Sequence, residues 1–364
     1  MRLVSIDRCT PGMQLAKPIY TDNGNLLLGV GAELTETFIH RLTSLNVTTL
    51  YIGGDKITED LMVEDSIPMG QRIKATQTIE KIFTEIKLGI HKSKAMLSCE
   101  IVNQFKEVFR LLLQEIQRNK DLMRLLTHIQ IKDHYLFTHS FNVTLYTVAI
   151  AIKMGFNQKQ LLEIGVGGLL HDVGKLFLPK EILQKAGKLD AHEFELIKKH
   201  TEFGFDFLRK DPGISVVTAH CAYQHHEKLD GTGYPRRLKG NQIHLYAKIM
   251  AVADVFDALT TNRVYRPAML PHEAMEIIWA SSHTHFDIDV VTAFKHSIAL
   301  YPIGVTVLLN TGETGVVVGY NRNIPQRPEV RVYKDSEGIT LEEFFVRDLS
   351  EELTVMISEC DAIL

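Results

Sequence analysis

Residues 161–175 read LLEIGVGGLLHDVGK, and this stretch decides how the middle of the chain is built. Its apolar residues form the run expected of a buried helix, which ends on His171-Asp172 with Gly174 as the stop. A histidine or an aspartate on such a helix carries a desolvation penalty unless it is paired or bound to a metal. One such residue usually means a hydrogen-bonded core group, so the question is whether the feature recurs.

It does recur, on both sides. His139 lies in HYLFTHSFNVTLYTVAIAI (134–152), and His200 in DAHEFELIKKHTEFGFDFL (190–208), where Asp190 and Glu193 suit a capping box. Asp254 lies in KIMAVADVFDAL (248–259), an apolar helix interrupted by two aspartates. VVTAHCAYQHH (216–226) closes on His225-His226 and runs into HHEKLDGTGYP (225–235). Adjacent side chains on a helix point about 100° apart, so the paired histidines converge only where the helix unwinds. Asp230-Gly231 and Gly233 supply that unwinding. Imidazoles and carboxylates without thiolates suit iron, manganese, zinc or related divalent ions. His139, His171, Asp172, His200, His225, His226 and Asp254 are too many ligands for one ion. They suit two, with a carboxylate able to bridge, which is the arrangement of two-metal phosphoester hydrolysis.

Other histidines read differently. His283 and His285 in SSHTHFDIDVVTAF (281–294) form an HxH, but the entry to a helix capped near Asp287 is the better reading. His244, His272 and His296 sit among polar neighbours and suit surface or capping roles, and His220 suits a buried structural one.

The rest of the chain frames this region. Residues 1–65 suggest a small α+β unit: a hairpin in LAKPIYTDNGNLLLGVGAEL (15–34) turning at Asp22-Asn23-Gly24, a helix over 35–45 and a strand over 48–52. Residues 66–119 are helical, with Ile79, Phe83, Ile86 and Ile90, then Ile101, Phe105, Leu112 and Ile116, at helix spacing. These helices offer a face for the next domain, for a homodimer or for a signalling partner. Residues 120–300 continue as helices. From 301 the period changes: VTVLLNTGETGVVVGY (305–320) reads as strand, turn and strand, and VRVYKDSEGITL (330–341) as a second hairpin, followed by a featureless tail. The fold class is therefore mainly α, with small units containing β-structure at both ends.

Composition narrows the function. Hydrophobic residues are 45% and charged residues 23%, as in folded globular proteins. A formal net charge of -4 gives no basic field for duplex nucleic acid. The four scattered cysteines argue against a disulfide framework or a zinc ribbon. No apolar run approaches the roughly 20 residues of a membrane span, and the start lacks a signal-peptide core. A cytoplasmic location is expected.

HDVGK at 171–175 followed by HHEKLDGTGYP at 225–235 resembles the HD-GYP family of bacterial cyclic-dinucleotide phosphodiesterases. The resemblance spans about residues 120–300 and implies an all-helical HD-type domain. The β-rich 301–364 segment also occurs in members, and residues 1–65 resemble more loosely a small domain that precedes some of them. The seven residues above match the family's metal ligands. By analogy His139, His171 and Asp254 hold one ion, His200, His225 and His226 the other, and Asp172 bridges. The implied ions are iron or manganese. Members with a third metal carry a glutamate one turn before the first histidine. Here that position is Tyr135, and Asp133 points off that face, so two ions are expected.

The resemblance also implies a substrate side. Lys175 would contact the scissile phosphate, and Arg263 and Arg266 in LTTNRVYRPAM (259–269) would reach phosphate or guanine. Tyr234 stacks on a base or packs its own loop. Glu227 holds an imidazole in its tautomer or is merely solvated. The expected reaction is metal-dependent hydrolysis of cyclic di-GMP to linear pGpG and onward to GMP. Hydrolysis of 3′,3′-cyclic GMP-AMP to pApG is the second reading, and a non-catalytic cyclic-dinucleotide sensor the third.

Overall fold

The computed structural model describes residues 1–21, 25–45, 47, 49–54, 56–63, 67–91, 99–118, 123–124, 135–183, 185, 187–261, 268–321 and 324–360. Near the N-terminus, β1 (Arg2–Ser5), β2 (Ile19–Tyr20), β3 (Leu26–Leu28), α1 (Glu36–Ser44) and β4 (Thr49–Ile52) enclose their own apolar core, including Val4, Leu15, Leu34, Leu42 and Leu50. β1 and β4 pair antiparallel, as do β2 and β3, and Thr35 caps α1 by accepting from the Phe38 N–H. The turn expected at Asp22-Asn23-Gly24 lies outside the described residues.

Two long helices follow, α2 (Met69–His91) and α3 (Cys99–Arg118). Their apolar stripes are buried: Ile79, Phe83 and Ile86 on α2, Phe105, Phe109 and Leu112 on α3. The Phe83 ring meets Phe105 edge-on at 6.3 Å and Phe137 at 5.6 Å. These helices therefore share one core with the central helices. Of the faces left open by the sequence, this one is taken within the chain. A short strand, β5 (Met123–Arg124), precedes the central helices.

The central layer consists of α4 (Tyr135–Lys153), α5 (Gln158–Leu170), α6 (Lys180–Leu183), α7 (Ala191–Lys198), α8 (His200–Leu208), α9 (Val216–Gln224), α10 (Leu245–Thr260), α11 (Pro271–Ala280) and α12 (Ile288–Lys295). Asn157 and Gln160 form a capping box at α5, and Asp190 and Glu193 form one at α7. Tyr146, Phe256 and Phe294 lock α4, α10 and α12 through edge-on ring contacts of 4.9–6.0 Å. Among the described residues no helix is long and apolar enough to cross a membrane.

After β6 (Ile298–Ala299), which pairs with β5, the chain forms β7 (Thr306–Leu309), β8 (Thr314–Gly319), β9 (Glu329–Lys334), β10 (Thr340–Asp348) and β11 (Ile357–Cys360). These last five make one sheet in the order β10-β9-β8-β7-β11. The tail that looked featureless thus adds an edge strand. β11 has partly exposed polar positions and pairs with β7, about fifty residues earlier in the chain, so no local pattern marks it.

Candidate metal centre

Five elements converge at the middle of the helical layer. His139 projects from α4, His171 caps α5, Asp172 begins the following turn, His200 opens α8, His225 caps α9, and Asp254 lies on α10. The approach of the HDVGK turn to α8 requires a glycine. A Cβ on Gly174 would stand 1.8 Å from the His200 carbonyl oxygen. On the other side, a Cβ on Gly233 would meet the Lys228 nitrogen at 2.4 Å, so the DGTGYP loop folds tightly over the end of α9.

The backbone aims the imidazoles. Nδ1 of His171 donates to Gly168 O at 2.7 Å, Nδ1 of His200 to Ile197 O at 2.6 Å, and Nδ1 of His225 to Cys221 O and Ala222 O at 3.1 Å. A carbonyl only accepts, so each Nδ1 carries the proton and each Nε2 offers its lone pair inward. Asp172 sits between two groups of these lone pairs. Its Oδ1 is 3.4 Å from His200 Nε2 and 3.9 Å from His225 Nε2. Its Oδ2 is 3.5 Å from His171 Nε2 and 3.7 Å from His139 Nε2. Asp254 Oδ1 lies 3.1 Å from His139 Nε2, and Oδ2 lies 3.8 Å from His226 Nδ1.

Apart from the His139–Asp254 contact, these distances are long for hydrogen bonds and suit donors gathered around a metal. His171 Nε2 and Asp172 Oδ1 are buried with no hydrogen-bond partner, a costly state unless another ligand satisfies them. Donors that share one ion at about 2.1 Å lie about 3–4 Å from one another. Three groups have donor atoms within 4.8 Å of one another: His139, His171 and Asp254; His200, His225 and His226; and His171, Asp172 and His225.

The charge states agree with most of that set. Burial pushes the imidazoles down, to about 4 for His200 and about 3 for His226, and well below the ordinary value for His225. Burial also pushes the Asp172 carboxyl up, but Lys175 and the surrounding imidazoles outweigh it and hold it well below the usual carboxylate range. Asp254 behaves alike beside His139 and His226. His139 is the exception. Burial lowers it, yet hydrogen bonds to Asp254 and Asp257 raise it to about 9, so an ion there must displace a proton.

Lys175 pairs with Asp172 Oδ2 and keeps part of its side chain open to solvent. Tyr234 is half-buried, with its ring 4.7 Å from that of His226, and it packs the loop onto this histidine. The Lys198 ammonium lies 5.6 Å from the Tyr234 ring centre and 4.7 Å from that of Phe194. Arg263, Arg266, Asp133 and the Tyr135 side chain fall outside the described residues.

Glu227 corrects the sequence reading. It is buried, and its two oxygens accept the backbone N–H groups of Arg236 at 2.7 Å and Leu238 at 2.9 Å. It is neither solvated nor an imidazole partner; it fastens the loop that follows the paired histidines. The HxH at 283–285 stays apart from the donor cluster. Its segment supports the same loop, with Asp230 N donating to Thr284 O at 2.8 Å, and Asp287 caps α12 as expected. His244 caps α10.

Sequence reasoning missed Asp257. Its Oδ2 is 2.7 Å from His139 Nδ1, so it fixes that imidazole as the carbonyls fix those of His171, His200 and His225. The signal was present: Asp257 follows Asp254 by three positions on an apolar helix and therefore shares its face.

Residues 119–290 match the family model described as "HD domain", and residues 306–363 match "KOW domain associated with HD domain". A cyclic di-GMP phosphodiesterase of Pseudomonas aeruginosa is 35% identical over 60% of this chain and 52% of its own length. The 3′3′-cGAMP-specific phosphodiesterase 3 of Vibrio cholerae is 36% identical over 51% of this chain and 40% of its own. A solved HDG"Y"P protein of Bdellovibrio bacteriovorus has 17% identity and a TM-score of 0.48, covering 80% of this chain and 97% of its own. The chain thus spans about half the length of the curated relatives it matches. With HDVGK at 171–175 and HHEKLDGTGYP at 225–235 joined in one centre, residues 119–290 form an HD domain of the HD-GYP type.

Proposed function

We propose that this chain is a metal-dependent phosphodiesterase that hydrolyses a cyclic dinucleotide, cyclic di-GMP first. The family implies a divalent metal, and the His/Asp groups offer places for one. The observation that carries the reading is the position of Asp172, with one oxygen facing His200 and His225 and the other facing His139 and His171. That geometry supports two ions with Asp172 between them, and the all-nitrogen-and-oxygen donor set supports iron or manganese. Such ions supply Lewis acidity towards phosphate oxygens and activate water for in-line attack.

The chain's own groups do the rest. The backbone-anchored imidazoles keep their lone pairs inward without reorganisation. Lys175, at the solvent-accessible side of the cluster, places a cation beside Asp172, where a phosphodiester would approach. Tyr234 and the Glu227-fastened loop close one wall. In this reading residues 120–300 carry the chemistry, 66–119 buttress it, and 1–65 and 301–364 are accessory. Arg263 and Arg266 are proposed phosphate or base contacts on the strength of their motif.

A second reading, 3′,3′-cyclic GMP-AMP as substrate, is favoured by the similar identity to the Vibrio cholerae enzyme named for it. The test is anaerobic turnover of the chain loaded with iron(II) or manganese(II), offered each dinucleotide separately, with linear products followed by chromatography. Faster cleavage of cyclic di-GMP supports the first reading and faster cleavage of the hybrid dinucleotide the second. Metal uptake without cleavage of either overturns both.

A further inference from the structure

The hydrogen bonding that fixes His139 continues beyond Asp257. Oδ1 of Asp257 accepts from Asn142 Nδ2 at 2.9 Å, and Asn142 Oδ1 accepts from Arg72 Nη2 at 3.3 Å. His139 and Asn142 lie three residues apart on α4, and Arg72 comes from α2. All four side chains are buried, at 8% exposure or less. The Arg72 guanidinium also lies over the Phe141 ring, 5.2 Å from its centre.

We propose that Arg72 is a positioning residue for the metal centre. The inference rests on reading His139 as a metal ligand. The logic follows from what each group can donate. A guanidinium has donors only, so the amide of Asn142 must present its oxygen to Arg72 and its nitrogen to Asp257. Asp257 therefore accepts on both oxygens, and the partner of its Oδ2 must be a protonated His139 Nδ1. That leaves His139 Nε2 to face Asp172 and Asp254. Reversing the amide would break the chain of roles and release the tautomer. Arg72 precedes the segment matched by the HD-domain model, which begins at residue 119. One determinant of the centre, the Arg72 side chain, thus comes from outside the matched domain.

A purely structural Arg72 would tie α2 to α4 and nothing more. The experiment that separates the two roles is a manganese(II) titration of the full chain after chelation, followed by electron paramagnetic resonance, with thermal unfolding alongside. Arg72→Met should weaken manganese binding about tenfold and Asp257→Asn about 10–100-fold, the range for partners of metal-bound imidazoles. The double variant should bind no more weakly than Asp257→Asn alone, because the two residues act in series. Ile79→Ala, which loosens α2 without touching the chain of hydrogen bonds, should lower the melting temperature and leave affinity within about twofold. Should Arg72→Met fail to fold, Asn142→Ala breaks the next link and is expected to weaken binding to the same degree.

Unchanged affinity in the folded Arg72→Met or Asn142→Ala chain overturns the inference. So does full additivity with Asp257→Asn, or an equal loss in Ile79→Ala. Wild-type chain that takes up no manganese overturns the metal-centre reading itself, and this inference with it.

Discussion

The helical centre and the C-terminal sheet both hold buried or half-buried charges, but they treat them in opposite ways. Around Asp172, imidazoles and carboxylates crowd together and two polar atoms, His171 Nε2 and Asp172 Oδ1, have no hydrogen-bond partner. In the sheet region, Arg327 donates to the carbonyl oxygens of Leu349, Glu352 and Val355. Arg347 likewise spans Glu313 and Glu352. The sheet's charges are satisfied by the chain itself, so they act as staples. At the centre, His171 Nε2 and Asp172 Oδ1 leave donor capacity that a ligand could satisfy.

The largest effect tests this contrast directly. Asp172→Ala should abolish manganese uptake and cut cyclic-dinucleotide hydrolysis by more than about 100-fold, beyond the usual loss for an indirect partner. The metal-free variant should keep its unfolding free energy within about 1 kcal/mol, because removing the carboxylate also removes the burial cost that opposes its pairing with Lys175 and the imidazoles. A large drop in urea midpoint would make the cluster structural and erase the distinction.

Gly174→Ala should come next. Its methyl would push the HDVGK turn away from α8, parting Asp172 from His200, and a displacement near 1 Å costs about 100-fold in rate. Stopped turnover assays and calorimetry should show that loss together with about 1–3 kcal/mol of overpacking. Wild-type turnover would mean that the centre tolerates movement.

Arg327→Met should do the reverse. Denaturant unfolding should reveal a loss of about 2–3 kcal/mol from hydrogen bonds to a charged donor, while metal affinity and kcat stay at wild-type levels. A change in either would couple the sheet to the centre and blur the comparison.

The smallest effect concerns acid. A hydrogen bond from Arg347 holds the Glu313 carboxyl below its ordinary value of 4.5. Because the folded value is depressed, the associated stability is present above the unfolded value and fades as pH falls through the folded one. Glu313→Gln should therefore flatten the pH dependence of stability below about pH 5, by at most about 1 kcal/mol. Parallel profiles for the two proteins would show the pair to be inert.

Much of the centre was legible because its residues break a local rule. His139 and Asp254 are polar side chains on apolar helices and His171-Asp172 ends another, and that violation needs no knowledge of the fold to be seen. Asp257 breaks the same rule three positions later on the same face, but the sequence does not say that it reaches the far nitrogen of His139. Glu227 was misread for a related reason. Its partners are backbone N–H groups of Arg236 and Leu238, and backbone donors look alike everywhere in a sequence.

The sequence by itself determined the helical middle, most of the strands at either end, the donor types and their spacing, because side-chain period, capping and turn chemistry act over a few residues. Tertiary structure alone decided which oxygen of Asp172 faces which histidines, and that Arg72 reaches Asn142 from another helix. It also decided that the two ends of the chain meet, with Leu3 N donating to Gly304 O at 2.8 Å and Arg331 pairing with Asp60 at 2.6 Å. Such contacts join residues far apart along the chain, and their geometry exists only once helices and sheet have packed.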